Sequence, residues 1–153
     1  MSLDLTKQLI ATFKKAVNSY NQLEQTTLKF GTKYELHPAE IDTIELIAQN
    51  ENCNLITLAK ISGVTRGTTS KMVRRLVDKR MVIKEYAPDS EKEYILQLTH
   101  QGKIAQSNHQ KYVNEIDEQI SVIFADLPDS VLKEILAKSN EAAKLLKQIA
   151  DKR

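Results

Sequence analysis

Between Thr65 and Arg75 the chain reads TRGTTSKMVRR. Thr65, Arg66, Gly67, Thr68, Ser70, Lys71, Arg74 and Arg75 are the residue types that hold phosphate oxygens and base edges. A guanidinium fork meets two acceptors at once, short hydroxyls both donate and accept, and a glycine lets backbone come close. At helical period Arg66, Gly67, Ser70, Lys71 and Arg74 share one surface without an acidic side chain. Thr69, Met72, Val73, Leu76 and Val77 recur on the inward one. Thr65 is a natural N-cap, so the free N–H groups and positive dipole end of this helix point the way an anion would approach. The helix is expected to run through about Lys79.

The charge pattern marks the same stretch. Residues 57–84 carry eight basic residues against Asp78 alone, a net of +7, whereas residues 1–56 come to −2, residues 85–98 to −3, and residues 99–153 to zero. A merely solvated helix face mixes both signs, so the asymmetry points to a polyanionic partner, and together with the order of the motifs around it to double-stranded DNA. Arg75, Lys79, Arg80 and Lys84 are expected at phosphate or in solvent, fixing position without reading sequence.

The elements that must position this face can be read on either side of it. A first helix starts near Leu3 or Asp4, with Leu9, Phe13, Ala16, Val17, Tyr20 and Leu23 as its stripe, and Gly31 is expected to close it. The stripe serves either the core or a partner subunit. His37-Pro38-Ala39-Glu40 opens a second helix, with Pro38 where a missing N–H costs least and Glu40 near the positive end of the dipole. Its buried face is Ile41, Ile44, Ile47 and Ala48. After the polar loop Gln49–Asn52, Asn54-Leu55-Ile56 could form a very short strand. Thr57 is expected to cap a short helix ending at Ile61, and Gly63 makes the turn into the basic helix. Short helix, glycine turn and capped second helix form a helix-turn-helix. Val82–Tyr86 and Tyr94–Leu98 read as the strands of a hairpin, or wing. Thr99 caps a long helix reaching about Ala125, Leu127-Pro128 breaks it, and a last amphipathic helix starts near Asp129 with a stripe that resembles a pairing surface. The fold class is mainly α with a small antiparallel β-hairpin.

At 153 residues the chain suits one domain, 1–153. No apolar run approaches the roughly 20 residues needed to cross a bilayer, and the N-terminus lacks a signal-peptide pattern, so no membrane partner and a cytoplasmic location are expected. The single cysteine, Cys53, cannot form an internal disulfide. With no basic residue within three positions, an idle thiol is favoured over a redox switch. His37, His100 and His109 make no tight ligand cluster, and no metal or other cofactor is expected. Tyr20, Tyr34 and Tyr112 could line a ligand cavity, though tyrosines on amphipathic helices more often edge a core or interface. The phosphate-cradling glycine loop, nucleophile elbow and HExxH are all missing, so no catalytic residues are assigned and an enzyme is not expected.

The segments HPAEIDTIELIAQ, TLAKISGVTRGTTSKMVRRLVDKRMV and ILQLTHQGK resemble the MarR family of winged helix-turn-helix regulators, over roughly residues 36–105. The resemblance implies a homodimer, with residues 1–35 and 100–153 as the helical dimerisation region and 36–99 as the winged helix-turn-helix DNA-binding region. It further implies a transcription repressor on a pseudopalindromic operator, each recognition helix in a major groove and each wing toward the minor groove, with a small-molecule effector in some members and metal or cysteine oxidation in others. Two positions depart from the family pattern. The wing's usual Asp-x-Arg pair falls on Ser90-Glu91-Lys92, leaving Lys92 as the wing's candidate contact within an acidic hairpin. The glycine that often ends the recognition helix is replaced at Arg80-Met81. The rival reading is a winged-helix protein-interaction module with weak or no DNA binding.

Overall fold

The computed structural model describes residues 2–152. It contains α1 (Ser2–Glu24), α2 (Pro38–Gln49), α3 (Leu55–Ser62), α4 (Arg66–Asp78), β1 (Val82–Tyr86), β2 (Tyr94–Leu98), α5 (His100–Phe124) and α6 (Asp129–Ala150). The architecture is helical with a single two-stranded antiparallel hairpin among the described residues, as the periodicities require. The chain forms two compact units, Met1–Lys111 and Tyr112–Arg153, the boundary falling within α5.

In the first unit the core gathers one face from each short element. Leu36, Ile44, Leu58, Val73, Leu76 and Met81 are all fully buried. These side chains come from the loop before α2, from α2, α3 and α4, and from the start of the wing. Burial of these apolar faces, more than intrinsic propensity, holds such short helices. Capping then fixes where they begin. The Glu40 carboxylate accepts from the His37 N–H at 2.8 Å at the start of α2. At the start of α3 the cap is Asn54, whose side chain accepts from the Thr57 N–H at 2.9 Å, so Thr57 lies inside the helix and the short strand expected at 54–56 is the helix's first turn. A trace of strand survives one residue earlier, where the Leu96 N–H donates to the Cys53 carbonyl at 2.8 Å.

The first helix also ends sooner than Gly31. It stops at Glu24, and the following loop closes through an isolated bridge between Leu28 and Leu36, with Phe30 and Gly31 both at positive φ. Apolar spacing continued far enough to mask this break. On α1, Leu5, Leu9, Phe13 and Val17 are exposed.

The second unit holds the C-terminal part of α5 and all of α6. Pro128 is the N-cap of α6. No residue of α6 is buried, and Ile135, Leu136, Leu146 and Ile149 are exposed within the chain.

Candidate nucleic-acid interface

The basic face is built on α4, a helix of 13 residues spanning about 20 Å. Thr65 caps it as expected: its Oγ1 accepts from the Thr68 N–H at 3.2 Å and lies 3.0 Å from Thr68 Oγ1. Both hydroxyls are thus committed to the helix start, which orients them but reduces their freedom to meet a base. Gly63, the C-cap of α3, takes φ +70°, the left-handed value at which a side chain would be strained, and lets α3 turn directly into α4.

The two sides of α4 separate cleanly. Thr69, Val73 and Leu76 are buried, the Thr69 hydroxyl donating to the Thr65 carbonyl at 3.0 Å. Arg66, Gly67, Thr68, Ser70, Lys71, Arg74 and Arg75 are all exposed. Val77, expected inward, is 37% exposed, because at 100° per residue it falls beside Arg66 and Ser70 rather than over the core. The acid-free surface runs from Arg66 to Arg75. Asp78, one turn beyond Arg74 on the same side, is exposed and marks its end. A Cβ added at Gly67 would meet only Thr65 Oγ1 at 4.0 Å, so nothing in the chain requires glycine there.

Lys79 departs from its expected role. Its Nζ lies 2.7 Å from Glu40 Oε2 and 2.7 Å from the Glu35 carbonyl oxygen, so it is spent inside the protein rather than offered to phosphate. The end of α4 is a Schellman turn. The Arg80 N–H donates to Val77 O at 2.9 Å and the Met81 N–H to Leu76 O at 2.8 Å, with Arg80 at φ +59° where glycine is usual. Leu76 and Met81, both fully buried, supply the hydrophobic contact that accompanies this motif.

The wing pairs in the expected register, Val82 with Leu98 through Tyr86 with Tyr94. At its outer end the Tyr86 and Tyr94 rings stack with centroids 4.5 Å apart, and their hydroxyls meet at 2.8 Å. That hydrogen bond is the main cause raising the Tyr94 phenol above its ordinary pKa. Ser90 Oγ accepts from the Lys92 and Glu93 N–H groups at 3.2 and 3.1 Å. Ser90 thereby closes the tip of the loop, and Lys92 stays exposed near it among Asp89, Glu91 and Glu93.

Cys53 is buried, and burial pushes its thiol above the ordinary pKa, which suits packing rather than reactivity. His109 Nδ1 meets Glu45 Oε1 at 3.1 Å, and its ring stands edge-on to Phe30. Nearby Asp42 is raised above the usual carboxylate range, first by burial and then by Glu24. Among the described residues no group of His, Cys, Asp and Glu is arranged to hold a metal ion, and no helix is long and apolar enough to cross a membrane.

A capped helix following a glycine turn, its inner face in the core and its outer face basic, with a two-stranded hairpin behind it, defines a winged helix-turn-helix. Residues 36–94 match the model of the MarR family, so that stretch is similar to the family. A Bacillus subtilis (strain 168) protein described as an uncharacterized HTH-type transcriptional regulator, YhjH, is 27% identical over 106 residues, 69% of this chain. The match spans 60% of the length of that relative. Among solved structures, Streptococcus pneumoniae FabT in complex with DNA is 18% identical, with a TM-score of 0.71 over 96% of this chain and 99% of that one. Staphylococcus aureus MarR in complex with salicylate and kanamycin is 16% identical, with a TM-score of 0.66 over 94% and 93%. At these identities the likeness is one of fold.

Proposed function

We propose that the chain is a sequence-specific DNA-binding transcription regulator, a repressor that binds a pseudopalindromic operator as a homodimer in the cytoplasm and responds to a small-molecule effector. The observation that carries this reading is α4: one face locked in the core and the other an exposed, acid-free surface of Arg66, Gly67, Ser70, Lys71 and Arg74 that follows a Thr65-capped N-terminus. Such a surface suits a major groove, where arginine and lysine reach guanine O6 and N7 and flanking cations hold phosphates. Thr65, Thr68 and Arg75 frame that surface, and Lys92 is the contact candidate of the wing's loop. The solved likeness to a DNA complex supports the groove assignment, and the likeness to a salicylate and kanamycin complex supports an effector. The exposed apolar stripes of α1 and α6 support a homodimer whose dimerisation region is 1–35 with 100–153, leaving 36–99 to bind DNA.

The test is selection of bound duplexes from genomic fragments, followed by affinity against salt. Phosphate contacts release counterions, so log affinity should fall steeply and linearly with log salt. A flat dependence, or no selected sequence, overturns the reading. The acidic wing favours one rival, a protein-interaction module that has lost DNA affinity. Charge reversal at Arg66 and Arg74 separates the two, since a regulator loses DNA while an adaptor keeps its partner.

A further inference from the structure

Three features lie outside the basic face: the stacked tyrosines of the acidic wing, the His109–Glu45 contact, and the ion pair between Lys79 and Glu40. The third carries furthest. Lys79 is the C-cap of α4 and Glu40 lies in the first turn of α2, so the pair joins the far end of the basic helix to the start of another element. The Glu40 side chain is 1% exposed and that of Lys79 24%. Glu40 Oε2 accepts from Lys79 Nζ at 2.7 Å and from the His37 N–H at 2.8 Å. A second 2.7 Å bond carries Lys79 Nζ to the Glu35 carbonyl, so the ammonium is held from two directions.

The inner face of α4 otherwise rests on Thr69, Val73 and Leu76. The hydrophobic drive that buries these side chains is non-directional and does not by itself set the helix against small rotations and slides. A charge-assisted hydrogen bond is directional and resists both. If Lys79 swung out to a phosphate it would strand a buried carboxylate, a strongly unfavourable exchange. We infer that Lys79 and Glu40 are a positioning pair for the recognition helix: Lys79 serves base reading through Glu40 and makes no phosphate contact. This rests on the DNA-reading function proposed above.

The experiment measures affinity for the selected operator and for a scrambled duplex across a salt series. The proteins are the full-length wild type, Lys79→Met, Lys79→Arg, Glu40→Gln, and the double variant Lys79→Met with Glu40→Gln. Because Lys79→Met alone leaves a buried charge, the double variant, which removes both charges, guards against misfolding. The expected loss for Lys79→Met at the operator is about tenfold, comparable to one misread base pair. Its affinity for the scrambled duplex and its salt slope should be unchanged, Lys79→Arg should restore the operator, and in the Glu40→Gln background Lys79→Met should cause no further loss. A salt slope lowered by about one per protomer, with equal losses on both duplexes and in both backgrounds, would make Lys79 a phosphate contact and overturn the inference. Unchanged operator affinity in every variant overturns it too, leaving the pair a stability element alone. A wild type that selects no operator fails earlier, at the DNA-reading proposal itself.

Discussion

Arg80, just past the end of α4, holds a large side chain in left-handed backbone, φ +59°, and that suggests a stabilising substitution. A residue with a Cβ in this region pays about 1–2 kcal/mol, which glycine avoids. Glycine in turn loses more freedom on folding, about 0.5–1 kcal/mol. Arg80 is exposed, so little packing is forfeited. The Schellman hydrogen bonds from Arg80 and Met81 use backbone only and survive the change. The balance for Arg80→Gly is a gain of roughly 0.5–1 kcal/mol, a rise in Tm of roughly 1–4 °C for a chain of this size. Urea denaturation at fixed protein concentration measures it, through a higher midpoint at an unchanged m-value. Arg80→Ala is the control, since alanine removes the guanidinium but keeps the Cβ. If Arg80→Gly proves no more stable than Arg80→Ala, the left-handed strain is not what the substitution relieves, and the reasoning fails.

Other expectations follow from the same geometry. Gly67→Ala has open space for its Cβ and should stabilise α4 by up to about 1 kcal/mol, while weakening operator binding because the surface no longer lets backbone approach; thermal melts and DNA titration of one preparation show whether the two effects part. Lys71→Ala and Arg74→Ala should each cost more operator affinity than Lys92→Ala, which lies among carboxylates, and equal or reversed losses in a gel-shift series would move the reading surface to the wing. The raised Cys53 thiol keeps its proton longer in the folded chain than in the unfolded one, so folding stability contributed there is full below the ordinary thiol range and lost as pH rises through the folded value. The stability difference between wild type and Cys53→Ala should therefore be flat below about pH 8 and move against the wild type above it; a difference independent of pH would contradict the burial.

What could be read from residue order alone was what depends on near neighbours. Thr65 was legible as a cap, and the hairpin limits at Val82, Tyr86, Tyr94 and Leu98 were legible from strand-forming residues around a polar loop. The cap at Asn54 was not, because Leu55 and Ile56 carry strand-like side chains and only the burial of Leu58 beneath them favours a helix turn. Val77 looked inward because valine is apolar, although its angle around the helix places it with Arg66. The pairing of Lys79 with Glu40 lies beyond any local pattern, since the partners are 39 positions apart and each is plausible as a surface charge on its own.

Thr99 joins the end of the wing to the start of α5, and its side chain serves both the element before and the element after. Its Oγ1 donates to the Arg80 carbonyl at 2.6 Å and accepts from the Gly102 N–H at 3.0 Å, and its own N–H donates to the Met81 carbonyl at 3.0 Å. A Cβ at Gly102 would collide with that Met81 carbonyl, a backbone atom with nowhere to yield. During divergence, serine could inherit position 99 but valine could not, and residue 102 is barred from gaining even a methyl group. A change that re-aims the end of the basic helix therefore disturbs the root of α5 as well, and the two form one mechanical joint.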